Sequence, residues 1–128
     1  MSLRSSSVPD YARKTLASIR LFNGAVALVA PGLLLRRLGV DPRVKTPAHY
    51  IFRMFGIRTV LIGAELLMPD AKIRDHAIRN AVIIHATDAT AALLAGLSGQ
   101  VPRRSAVMIV LISTFNTVLA LLMRQTSA

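Results

Sequence analysis

Four apolar stretches alternate with short polar breaks along the chain, at about 15–35, 48–68, 76–97 and 105–123. The last is the cleanest: 19 residues without a charge, bounded by Arg103–Arg104 and Arg124. As a helix it reaches roughly 28 Å, about the thickness of a bilayer's hydrocarbon core. Its apolar residues cover nearly every face rather than one stripe, unlike a helix at the surface of a soluble domain. The first stretch contains Arg20, Asn23 and Pro31, and Pro31 predicts a bend or an unwound last turn. The second holds Arg53, Arg58 and Glu65, and the third Arg79, His85 and Asp88. Both are long enough to span, provided their charges turn away from lipid.

The breaks agree with this division. Gly39–Val40–Asp41–Pro42 is a turn signal, and Pro47 suits the first turn of a helix. Pro69–Asp70 closes the second stretch, and Gly96, Gly99 and Pro102 separate the third from the fourth. The pattern therefore predicts an all-α fold: a four-helix transmembrane bundle with antiparallel up-down neighbours and both termini on one side. Residues 1–14 read as a polar N-terminal tail, and 15–124 as the membrane domain.

Composition sharpens the choice. Of 128 residues, 53% are hydrophobic and 17% charged, against roughly 25% charged in ordinary soluble domains. Aromatics are 5% with no Trp, so the apolar mass is aliphatic. The absence of Cys excludes a disulfide scaffold and any thiolate-held zinc or iron–sulfur centre.

A formal net charge of +10 would suggest nucleic acid in a soluble chain. Here 12 of the 16 cations flank the apolar stretches, which points to anionic lipid headgroups and to no nucleic acid. Orientation does not resolve. Arg4, Arg13, Lys14, Lys72, Arg74 and Arg124 fall on one side, and Arg36, Arg37, Arg43, Lys45, Arg103 and Arg104 on the other, an even split. A cleaved signal peptide is not indicated, because Asp10, Arg20 and Asn23 interrupt the pattern and no small-residue cleavage site follows.

The polar residues inside the apolar stretches carry the chemistry. Folding the chain back about residue 72 brings Arg58 level with Asp88 and Glu65 level with Arg79. Similar folds about the other two breaks bring Asn23 level with position 60 and Asn116 level with position 86. Asn23, Arg58, His85, Asp88 and Asn116 then share one depth near mid-membrane. Arg20, Glu65 and Arg79 form a second layer towards the terminal side. A buried Arg58 needs a fixed counter-charge, because guanidinium does not deprotonate. The depths therefore predict an Arg58–Asp88 salt bridge touched by His85 or Asn116.

Three readings of these groups remain open. They can clamp the helices together through buried ion pairs and amide hydrogen bonds. They can line a pocket for the head group of a lipid, quinone-like or isoprenoid amphiphile. Or His85 and Asp88, three apart on one helix face, can act as an acid/base pair in a small intramembrane isomerase, cyclase or hydrolase. No cofactor or metal is expected: there is no H-E-x-x-H, no phosphate-cradling glycine loop and no G-x-S-x-G. Two-histidine haem ligation fails on depth, since His49 starts the second stretch and His85 lies mid-way along the third. Gly56 and Gly63, with Ala81, Ala89, Ala92, Ala95 and Gly96, make small faces suited to close helix packing or to a homo-oligomer seam.

The segments Arg20–Leu21–Phe22–Asn23–Gly24, Arg53–Met54–Phe55–Gly56–Ile57–Arg58 and His85–Ala86–Thr87–Asp88–Ala89, with Pro31 ahead of the Gly39–Val40–Asp41 turn, resemble a set of small four-helix bacterial membrane proteins akin to the DoxX-like group. The likeness covers about residues 16–123. It implies a four-helix integral membrane fold in the cell membrane and no particular activity, and it carries no redox centre. The expected protein is a membrane component that binds a lipophilic small molecule through an internal polar pocket or serves as an accessory subunit of a membrane complex.

Overall fold

The computed structural model describes residues 8–41, 43–44 and 46–124. Among these the chain is entirely helical, with no strand: α1 (Val8–Val29), α2 (Pro31–Arg37), α3 (Pro47–Glu65), α4 (Ala71–Leu97) and α5 (Arg103–Arg124). The all-α expectation holds, with one more helix than the four stretches suggested. The first stretch is broken at Ala30, and α1 and α2 meet at 103°. The cause is local. Proline disfavours helical backbone in the residue before it, and Ala30 sits at φ −135°, ψ 60°, outside the helical region. Pro31 itself opens α2, where its missing N–H has no partner to lose.

α1 and α4 begin ahead of their apolar stretches because charge pairing and capping, not hydropathy, set those ends. α1 starts at Val8, so the second half of the expected tail is helical, while residues 1–7 lie outside the described part. Asp10 in its first turn pairs with Arg13 and, at 2.9 Å, with Lys14, a charge placement that suits a helix N-terminus. α4 starts at Ala71 rather than near His76. The Asp70 carboxylate accepts from the backbone N–H groups of Lys72 (2.8 Å) and Ile73 (3.1 Å) and starts the helix inside a charged segment.

α1 packs on α3 and α5, and α5 packs on α4; α3 and α4, although joined by a short turn, scarcely touch. Side chains from the first half of α1 and α4 and the last turns of α5 share one core, among them Leu16, Ala77, Ala81, Ala120 and Met123. α1 and α4 therefore run parallel, with α5 antiparallel to both. Two contacts fix the registers. A Cβ placed on Gly56 would lie 2.8 Å from the Gly24 carbonyl oxygen, so α1 and α3 meet backbone to backbone. A Cβ on Gly96 would lie 2.5 Å from the Ala106 Cβ, bringing α4 and α5 equally close. Both registers match those expected from folding the chain about its first and last breaks.

The Gly96–Ala106 contact gives a direct test. Gly96→Ala should destabilise the protein by about 1–3 kcal/mol through overpacking. Adding Ala106→Gly in the same chain should restore most of that loss, because it moves the methyl group from one helix to the other. Denaturation of the detergent-solubilised protein measures both.

Many large apolar side chains face outward, and a few polar ones are buried within an otherwise apolar interior. Phe22, Val29, Ile83, Leu97 and Leu111 are exposed, whereas Arg20, Thr59, His85, Ser113 and Asn116 are buried. α4 and α5 are each long and apolar enough to cross a membrane, and α1 with α2 makes a third crossing if the bent pair counts as one. α3 does not reach that measure, carrying His49, Arg53 and Arg58 within 19 residues.

Candidate functional site: a buried polar layer

One polar side chain from each long helix is buried at a similar level: Arg20 on α1, Thr59 on α3, His85 on α4 and Asn116 on α5. Local sequence explains each placement. Arg20 follows Leu16 and Ala17 on the inward face of α1 at helical spacing. Thr59 lies between Gly56 and Gly63, the buried face that receives α1. A Cβ on Gly63 would come 3.2 Å from the Arg20 Cβ, so Thr59, one turn earlier on the antiparallel α3, lies about one turn beyond Arg20 along α1. His85 continues the Ala77–Ile78–Ala81 face of α4, and Asn116 lies between Ser113 and Ala120 on the buried face of α5.

The central contact is Arg20 with His85. Arg20 Nε donates to His85 Nε2 at 3.0 Å, and Arg20 Nη2 approaches the same nitrogen at 2.8 Å. Guanidinium has no lone pair to offer, so Nε2 is the acceptor. The imidazole in this contact is therefore neutral and carries its proton on Nδ1. Arg20 is only 3% exposed and has no carboxylate within ion-pair distance among the described residues. Asp88, one turn beyond His85 and half-buried, acts on Arg20 through space, as does the like charge of Arg58.

Three hydrogen-bonding groups in this layer stay unused among the described residues. Arg20 Nη1 makes no hydrogen bond. The fully buried Thr59 Oγ1 and Asn116 Oδ1 have no partner. Folded proteins rarely leave buried polar atoms unmet, and each such atom costs about 1–3 kcal/mol. No group of three or more potential metal-binding side chains occurs among the described residues.

The expected site residues divide. His85 and Asn116 are buried in the layer, with Asp88 half-buried at its edge and Asn23 half-buried on α1. Arg58 and Asp88 act on one another electrostatically but form no ion pair within 4.0 Å, so the expected salt bridge is not made. The Arg58 side chain is exposed, as is Arg79, and Glu65 at the end of α3 is half-buried without pairing to Arg79. Both pairings required α3 and α4 to pack closely, and those helices diverge. Arg20, expected in a second layer with Glu65 and Arg79, instead supplies the buried cation. Long arginine side chains such as Arg58 can bury their stems while the charged ends reach outward.

Sequence reasoning missed two features. Thr59 was detectable, because it falls between Gly56 and Gly63 on the small-residue face. The Arg20–His85 contact was not, because it joins helices that are not consecutive and no turn fixes their relative level. Comparison with protein-family models, with curated proteins and with solved structures finds no match for this chain.

Proposed function

We propose that this protein is a small multi-pass membrane protein of four-helix, DoxX-like architecture whose buried polar layer binds the polar head of an amphiphilic small molecule. One observation carries the reading. A buried guanidinium with a free Nη1 faces a neutral imidazole, in a layer where Thr59 Oγ1 and Asn116 Oδ1 also lack partners. A head group offering both an acceptor and a donor satisfies these groups together, and its apolar tail suits the apolar outer surface. A helix clamp uses its polar groups on one another and has no need of unmatched ones. Acid/base catalysis by His85 and Asp88 has less support, because Arg20 occupies the basic nitrogen of the imidazole.

Native mass spectrometry of protein extracted in mild detergent tests this. The wild type is expected to retain a small amphiphile, and Asn116→Leu or Arg20→Met to lose it. A stoichiometric protein partner in place of a small molecule would support the accessory-subunit role. A wild type that carries nothing, with Asn116→Leu simply more stable, would leave only the clamp.

A further inference from the structure

At one end of the molecule the chain gathers arginines that the sequence keeps far apart. The Ser105 hydroxyl donates to the Arg37 carbonyl oxygen, tying the start of α5 to the end of α2. A Cβ on Gly39 would lie 3.1 Å from Pro102 Cγ, so the turn after α2 also rests against the turn before α5. Arg36 and Arg37, the last residues of α2, are thereby set beside Arg103 and Arg104, the first residues of α5. All four are exposed, and none of their side chains forms an ion pair or hydrogen bond among the described residues. Asp41 is the single acidic residue in these two connections.

The opposite end has similar numbers of cations but has neutralised or occupied several. Asp10 holds Arg13 and Lys14. Arg13 also donates to the Leu66 carbonyl at 2.9 Å, and Arg74 donates to the carbonyls of Met68 and Pro69 at 3.1 and 3.3 Å. Asp70 and Asp75 add negative charge there. The even split of cations along the sequence thus becomes an imbalance in three dimensions.

We infer that Arg36, Arg37, Arg103 and Arg104 form one cationic platform that binds the phosphates of anionic lipids in the cytoplasmic leaflet and so sets the protein's orientation. Guanidinium pairs with phosphate oxygens through two parallel hydrogen bonds, and four unpaired guanidinium groups on one rim match a phosphate-lined surface. The cytoplasmic leaflet is the anionic one, and cations flanking spans are retained on that side. The α2–α3 connection and the α4–α5 turn then face the cytoplasm, with the α3–α4 turn on the outside. This inference rests on the multi-pass reading above.

Because the chain has no Cys, single cysteines report orientation without background. Lys72→Cys in the α3–α4 turn and Gln100→Cys in the α4–α5 turn are both exposed positions. In intact cells a membrane-impermeant maleimide is expected to label Lys72→Cys and to spare Gln100→Cys. The reverse pattern would overturn the orientation and leave the multi-pass reading standing. Complete labelling of every molecule at both sites would mean that α4 does not cross, which would overturn that reading and this inference with it, whereas partial labelling at each site would mean insertion in both directions and would overturn the orientation alone. Changing Arg36, Arg37, Arg103 and Arg104 together to Gln should expose Gln100→Cys in a large share of molecules, and changing them to Lys should not. Labelling unchanged by the Gln set would overturn the platform's role.

Discussion

Replacing His85 with leucine should lower the stability of the detergent-solubilised protein by about 3 kcal/mol, among the largest effects of any single change. The imidazole is the only group within hydrogen-bond distance of the Arg20 guanidinium among the described residues, with contacts at 2.8 and 3.0 Å. Its loss strands a charge that cannot be discharged by losing a proton. Arg20→Met should cost less, because it removes the charge along with the bond and leaves a neutral imidazole. The double variant Arg20→Met with His85→Leu should recover much of the stability lost by His85→Leu alone, since two apolar side chains can fill the same space. His85→Gln should fall between wild type and His85→Leu, because its amide oxygen can still accept from Arg20. Chemical denaturation in a single detergent measures the series. A loss below about 1 kcal/mol for His85→Leu would show that the contact does not organise the layer.

Gly56→Ala should be nearly as damaging. A methyl group there would meet the Gly24 carbonyl oxygen at 2.8 Å and the Leu28 amide nitrogen at 2.9 Å. Both are backbone atoms, so no side chain can swing aside and α1 must move away from α3. The expected loss is about 2–3 kcal/mol, at the upper end of ordinary overpacking. Gly24→Ala meets the same interface from the other side, 2.9 Å from the Gly56 carbonyl oxygen. The two changes should not add: once the helices have parted for the first methyl, the second finds room. A double variant whose loss equals the sum of the singles would show that the two glycines do not share one contact.

These predictions differ in how far the sequence alone could reach them. The registers of α1 on α3, where a Cβ on Gly24 would also lie 2.9 Å from the Val60 amide nitrogen, and of Gly96 on Ala106 were readable because each pair lies across a break marked by Gly, Pro or Asp. The bend at Pro31 was readable for the same reason, although its size was not. The α3–α4 connection misled. Its turn signal is as clear, but a short turn fixes only where two helices begin to diverge. Tight seams formed instead where small residues face each other, Gly24 with Gly56 and Gly96 with Ala106, and these drew α3 towards α1 and α4 towards α5. The site was legible as a set of polar residues at one level, and of these His85 and Asn116 are buried. It was not legible as a set of pairs, since Arg20 meets His85 across helices whose relative height no local signal fixes.

The same contact bears on how the chain is made. Arg20 and His85 stand 65 residues apart, and everything between them must be synthesised before they can meet. At roughly 5–20 residues per second, that leaves Arg20 without its partner for about 3–13 s. On the multi-pass reading proposed above, a first helix inserted during translation would hold a bare guanidinium inside the span for that long, at considerable cost. On that reading the first helix waits at the interface or beside a polar escort until α4 emerges, and its insertion is completed by a helix made much later.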